Sequence, residues 1–260
     1  MIKFTYFKKS VLTFVLGLGL TISLGQVSYG QNTENVPPEL QTLLQEMETA
    51  ANDHNINQVL TFYNPNFTNS DNLTTEILAQ SLTALWTRFP NLNYRTELES
   101  WEQNGEQLIA ETVTSIQGTQ RLNGRLVWLN STMKSRQYFE NNQIVRQEIL
   151  AEKNQLTSGD NPPEVTVNLP EKVHRGEQFS FDVIVEEPLG NDILLGSAIE
   201  ERTSGNLYLN PSSFDLEVLN AGGIFKWVKA PLFADQRWLS AILVRGDGIT
   251  LVTQRVIIEE

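Results

Sequence analysis

Residues 74–99, TTEILAQSLTALWTRFPNLNYRTELE, contain the change of period that decides the fold. Up to Phe89 the apolar residues fall at helical spacing: Leu78, Leu82, Leu85, Trp86 and Phe89 share one face, and Pro90 ends the pattern because it can supply no backbone N–H. Four residues later the period is two. Tyr94, Thr96 and Leu98 point one way and Arg95, Glu97 and Glu99 the other, as in a strand with one covered face. A helix that hands over to a half-buried strand belongs to an α+β layer packing.

The pattern extends in both directions. Upstream, Leu40, Leu43, Leu44, Met47 and Ala51 line one side of a helix that opens at Pro37-Pro38, where a missing N–H costs least. Ile56, Val59, Leu60 and Tyr63 predict a second, short helix stopped by Pro65. Downstream, Asn104-Gly105 predicts a type I′ hairpin turn, and Leu108, Ala110, Thr112 and Thr114 alternate on the returning strand. A third strand is expected over 125–139, then a turn at Asn141-Asn142 and a fourth strand over 144–150. Three helices followed by four antiparallel strands predict a helical layer on one face of a curved sheet.

Residues 154–163, NQLTSGDNPP, are almost free of apolar side chains and read as a linker. Beyond them every run is strand-like. Val165–Leu169 comes first, and Phe179, Phe181, Val183 and Val185 alternate. Further runs lie at 193–199, 207–209, 214–219, 224–228, 238–244 and 250–258, separated by Gly, Pro and Asn turns. Such spacing predicts an all-β sandwich of immunoglobulin-like type over 164–260, with Trp227 and Trp238 in its core.

Lys3, Lys8 and Lys9, the uncharged run Val11–Leu24, and Ser28 and Gly30 at the −3 and −1 positions of a cut before Gln31 form the three parts of a secretory signal. Residues 1–30 are therefore expected to be removed, leaving an exported chain in a periplasm or outside the cell. Of the 19 Lys and Arg, three go with this leader, so 16 remain against 31 Asp and Glu, a net charge of −15. That balance argues against nucleic acid as a partner. The chain has no cysteine and only two histidines, which excludes thiol catalysis, Cys-ligated zinc and a multi-histidine metal site. No phosphate-cradling loop or nucleophile elbow occurs, and no cofactor or metal is expected.

The segment Leu60–Asp71, LTFYNPNFTNSD, together with Gly118-Thr119 and Phe139–Ile144, FENNQI, resembles recurring segments of the nuclear-transport-factor-2-like superfamily, which includes SnoaL-like cyclases and ketosteroid isomerases. The resemblance covers residues 38–153. It implies a cone-shaped cavity between helices and sheet, with small apolar ligands as one class of occupant. It also implies a general base at Asp71, and two-copy association through the sheet face that would carry Trp128. Burial beside apolar walls would raise such a carboxylate toward the range useful for proton transfer.

Against catalysis, Met47 stands where the isomerases place their tyrosine oxyanion donor, and Asn66 where many relatives carry an acid. Asp71 also suits a helix cap or lead-in. His54, in the polar break between two helices, is either a partner base or a solvated residue. Expected pocket residues are Met47, Tyr63, Leu78, Leu82, Trp86, Glu111 and Glu148, the two glutamates having cross-strand ion pairs as their alternative. Two functions follow as expectations. One is a non-catalytic protein that binds a small apolar ligand or a protein partner; the other is an isomerase or lyase acting through Asp71, assisted by His54.

Overall fold

The computed structural model describes residues 35–187, 190 and 192–260; the expected leader, 1–30, lies outside them. Three helices form first: α1 (Pro38–Asn52), α2 (Ile56–Thr61) and, after β1 (Tyr63–Asn69), α3 (Thr75–Arg88). Four long strands follow, β2 (Asn93–Asn104), β3 (Gln107–Leu122), β4 (Arg125–Glu140) and β5 (Gln143–Gly159). The rest is β6 (Val165–Asn168), β7 (Lys172–His174), β8 (Gln178–Val185), β9 (Leu195–Arg202), the short α4 (Gly205–Leu209), β10 (Glu217–Val218), β11 (Gly223–Lys229), β12 (Asp235–Arg245) and β13 (Gly248–Glu259).

One sheet carries most of these strands, in the order β10-β9-β12-β13-β5-β4-β3-β2; β1 pairs with β5 and β7 with β13, both parallel. A second sheet has the order β11-β8-β6. The two layers that cover the large sheet lie on opposite faces. On β3 and β4, Ala110 and Phe139 join the helical residues Leu40, Leu44, Val59 and Trp86 in one core. Leu156 of β5 packs against that core and faces Leu251 of β13. The next residue, Val252, points the other way, into a second core with Val256, Phe179, Phe181, Val183, Leu239 and Leu243. Each large apolar side chain buried in either core contributes about 1.5–3 kcal/mol.

β5 is what joins the halves. Its first part pairs with β1 and β4, and its second part with β4 and β13. The linker expected at 154–163 is therefore corrected: Asn154–Gly159 completes β5, and only the next few residues leave the sheet. These polar residues sit in a strand because both edges are hydrogen-bonded and their side chains find local partners. Ser131 Oγ donates to Asn154 Oδ1 (2.5 Å), and Ser158 Oγ to the Leu126 carbonyl (2.8 Å). The described residues accordingly form one compact unit.

Several local expectations change. Tyr63 and Pro65 lie in β1 and not in a helix, because the segment finds a parallel partner in β5. Gly105-Glu106 forms the first hairpin loop, with positive φ at Gly105 and not at Asn104, so the turn is not type I′. The type I′ pattern occurs instead at Asn123-Gly124 and at Asn141-Asn142, where both residues have positive φ. Residues 207–209, expected as a strand, are helical.

Gly159 has φ +107, and a Cβ there would meet the Asp247 carbonyl oxygen at 2.3 Å and Gly248 Cα at 2.6 Å. Both the backbone angle and the contact exclude a side chain. Gly159→Ala should destabilise the chain by about 2 kcal/mol or more, read as a lowered urea midpoint with an unchanged m-value.

Candidate functional site

Asp71 is held by its own loop. After β1 ends, Asn69 Oδ1 accepts from the backbone N–H groups of Asp71 (3.0 Å) and Leu73 (2.7 Å). The Ser70 N–H donates to the Gln147 carbonyl (3.1 Å), and Ser70 Oγ accepts from the Ile149 N–H (3.2 Å). The chain is thus fixed against β5 while the Asp71 side chain turns toward β13. The cap of α3 is Thr74, whose Oγ1 accepts from the Ile77 N–H (3.3 Å), so the helix-cap reading of Asp71 is not the one adopted.

Arg255 meets it. Both side chains are fully buried, with Arg255 Nη1 2.7 Å from Asp71 Oδ1 and Nη2 2.8 Å from Oδ2, a two-pronged pair. The remaining donors of the guanidinium are also used. Nη1 donates to Gln236 Oε1 (2.6 Å), while Nη2 (2.7 Å) and Nε (3.2 Å) donate to Glu152 Oε2. All five N–H groups therefore have acceptors, the condition for burying an arginine without loss.

Two aromatic donors complete the cluster. Tyr208 Oη donates to Asp71 Oδ2 and Trp238 Nε1 to Glu152 Oε2, each at 2.8 Å. The Tyr208 and Trp238 rings meet edge to face at 5.2 Å, and the guanidinium carbon lies 5.3 Å from the Trp238 ring centre. Trp238 is therefore on the helix-side face of β12, not in the sandwich core where it was expected. Trp227, expected in the same core, is 71% exposed on β11.

Burial alone would raise the Asp71 carboxyl, but hydrogen bonds and charge from Arg255, with Tyr208 and Thr203, outweigh it and hold the group below its ordinary value of 3.8. Burial lowers Arg255, yet its bonds to Asp71 and the charges of Glu152 and Asp71 raise it above the ordinary arginine value. Tyr208 is pushed well up, first by burial and then by the two carboxylates. A carboxylate kept ionised and engaged at both oxygens is a weak proton acceptor. In this arrangement Asp71 is a buried anion with both oxygens hydrogen-bonded.

The other expected residues do not gather around it. His54 stacks on Trp86 with ring centres 5.0 Å apart, and its Nε2 is buried without a partner. Trp86 Nε1 donates to Tyr94 Oη (2.9 Å). Met47 and Leu82 are partly buried against the helical core, as is Tyr63, whose hydroxyl burial pushes up to about 12. Leu78 is half-buried on α3. Glu111 and Glu148 lie on the face of the sheet away from the helices. Arg136 Nε is 2.9 Å from Glu111 Oε1, and Arg136 Nη1 is 3.5 Å from Glu148 Oε2. Their expected pocket role is replaced by the cross-strand ion-pair alternative.

Open grooves of about 530, 260 and 350 Å³ lie among the described residues. They are lined around α1 and the β4–β5 turn, around β5, β6 and β13, and between α1 and β2. None is lined by an expected site residue. Among the described residues four buried side-chain polar atoms have no partner: His54 Nε2, Ser81 Oγ, Trp101 Nε1 and Gln137 Oε1. Trp101 and Gln137 flank Ala110 in one cross-strand row on the helix-side face, beside the buried hydroxyl pair Thr112–Ser135 (3.3 Å). Among the described residues no group of three His, Asp or Glu side chains is arranged to hold a metal.

Arg255, Glu152, Tyr208 and Gln236 were not singled out from sequence. One signal was present: Arg255 is the only charged residue between Gly248 and Ile258 in an otherwise uncharged, largely apolar strand, a placement that calls for a counter-charge.

A family model described as "Domain of unknown function (DUF8623)" matches residues 160–259. No curated protein matches the chain. Among solved structures it is similar to Bd1075 of Bdellovibrio bacteriovorus, with 15% identity over 43% of this chain and 40% of that one, TM-score 0.31. It is also similar to AclR, a putative hydroxylase from Streptomyces galilaeus, with 16% identity over 43% and 73%, TM-score 0.32. A SnoaL-like polyketide cyclase from Agrobacterium tumefaciens gives 16% identity over 42% and 88%, TM-score 0.31. The chain spans well under half the length of the first of these. Each likeness covers less than half of this chain.

Removing Arg255 strands a buried anion. Arg255→Met should cost about 3–5 kcal/mol, and adding Asp71→Leu should recover part of that loss in a double-mutant cycle followed by denaturant unfolding. The pH dependence has a definite sign. Because the folded value of Asp71 is lowered, its contribution is complete above 3.8 and is lost as pH falls through the lower folded value. Asp71→Asn should therefore flatten the acid limb of the stability curve below about pH 4, compared with the unsubstituted chain.

Proposed function

We propose that this chain is an exported, non-catalytic interaction protein, acting in a periplasm or outside the cell. Its nuclear-transport-factor-2-like half serves as a scaffold for an immunoglobulin-like sandwich. One observation carries the reading: the only carboxylate that family resemblance nominates as a base, Asp71, has both oxygens bound by Arg255. The sandwich assignment is supported by strand order. β9-β12-β13 lies opposite β11-β8-β6, with β7 running parallel to the last strand of the first sheet. Partners are proteins and not nucleic acid, given the acidic balance. Self-association through the face of β4 that bears Trp128, 56% exposed, belongs to the same reading.

A second reading, binding of a small ligand on the helix-side face, is favoured by the unpartnered atoms Trp101 Nε1 and Gln137 Oε1. Native mass spectrometry of the exported chain after incubation with a cell metabolite extract separates the two. The interaction reading expects an unliganded mass. A retained adduct that disappears in Gln137→Leu overturns that reading in favour of the ligand. The same spectra should show a dimer that Trp128→Glu abolishes.

A further inference from the structure

β11 is the outer strand of the small sheet. It pairs with β8 from Gly223 to Lys229, and no other described strand pairs with its second edge. Seven residues of strand with a free row of backbone donors and acceptors form a template for one more strand, and folded proteins ordinarily blunt such edges. Here the strand has an apolar outer face. Ile224 and Val228 point into the core, while Phe225 and Trp227 point outward and are 58% and 71% exposed. The segment that follows adds Leu232 and Phe233, 78% and 54% exposed. Four of the large exposed apolar side chains thus fall within one nine-residue stretch, 225–233, a local density that marks an interaction site more than scattered surface residues do.

Charge narrows the occupant. In the same half of the chain Lys172, Arg202, Arg237, Arg245 and Arg255 are each paired with a carboxylate. Lys226 and Lys229, both exposed, have no such partner within 4.0 Å among the described residues, and neither has the exposed Arg175, in a chain whose net charge is −12. Two copies of β11 laid edge to edge would bring four lysines together, which disfavours self-pairing. An acidic strand would instead meet both cations.

We propose that the free edge of β11 binds an extended, acidic segment of a partner protein, which adds to the small sheet as a fourth strand. Backbone hydrogen bonds along β11 supply affinity. Phe225 and Trp227 take alternate apolar side chains of the segment, and Lys226 and Lys229 select its carboxylates. This rests on the protein-interaction reading above and names the chemistry of the partner.

The test is a library of random ten-residue peptides displayed on phage and panned on the exported chain. The peptides enriched should be net negative, with apolar residues at alternate positions. A synthetic copy should slow hydrogen exchange at the backbone amides of 223–229. Its affinity should fall at least tenfold in Trp227→Ala and in Lys226→Glu/Lys229→Glu, surface changes whose unfolding midpoints stay at that of the unsubstituted chain. The proposal is overturned if no peptide is enriched, if the enriched peptides are neutral or basic, or if their binding survives both variants. Quenching of Trp227 by cellohexaose without amide protection would also overturn it, assigning the aromatic face to a saccharide. A metabolite retained in the mass-spectrometric experiment bears on the interaction reading and leaves this result unaffected, so the two failures are distinguishable.

Discussion

A guanidinium taken out of water has to place five N–H donors, and Arg255 places them on four oxygens from three separate parts of the chain. Asp71 comes from the loop between β1 and α3, Glu152 from the middle of β5, and Gln236 from β12, beside the strand that carries Arg255 itself. Each acceptor is useful only if its own element is in place. The loop is set by Asn69 and Ser70, β5 by its two neighbours, and β12 by its pairing with β13. The cluster therefore links the helical layer and the β12–β13 part of the sheet through directional bonds. Apolar packing of the same volume could match its stability but would not fix an angle.

The same requirement accounts for the continuity of the large sheet. Had residues 154–163 been a free linker, the two halves would meet across an ordinary interdomain contact and the alignment of Asp71 with Arg255 would vary. Instead β5 runs from the helical layer into contact with β13, so Glu152 and Arg255 are held by the registers of one sheet. The close approach of Gly159 to Asp247 and Gly248 anchors the far end of that register. α4 then extends the helical side over the β12 half, with Gly205 bonded to the Asp71 carbonyl (2.8 Å) and Tyr208 to its side chain.

Elements were legible in the sequence where a single strand or helix determines its own pattern. The face 78–89 of α3 and the alternation 179–185 of β8 are local facts, because period reports burial directly. Legibility ended where a residue's partner lies far along the chain. Asp71 and Arg255 are 184 residues apart, and nothing within a window around Asp71 separates a paired anion from a base. Trp227 and Trp238 show the same limit on a strand. Alternation says that successive residues face opposite sides, but which side is the core depends on the sheet that stacks against it. The polar stretch 154–159 read as a linker because composition carries no record of a strand pairing on both edges.

The distribution of charge follows from these constraints. In the C-terminal half, the cations that hold elements together are consumed by carboxylates: Arg255 within the buried cluster, Arg237 and Arg202 along β9 and β12, and Arg245 at the β12–β13 turn. An acidic chain spends its few cations first where burial makes an unpaired anion most costly. The lysines of β11 lie outside that set, on the one sheet of the molecule that is only three strands wide and open on the side where Phe225 and Trp227 are exposed. Two of the three cations of that half left unpaired among the described residues, Lys226 and Lys229, thus lie on the unused backbone edge, the third being Arg175. The coincidence of those charges with that edge follows from how the rest of the fold neutralises itself, and it is what the proposed docking of an acidic strand on β11 rests on.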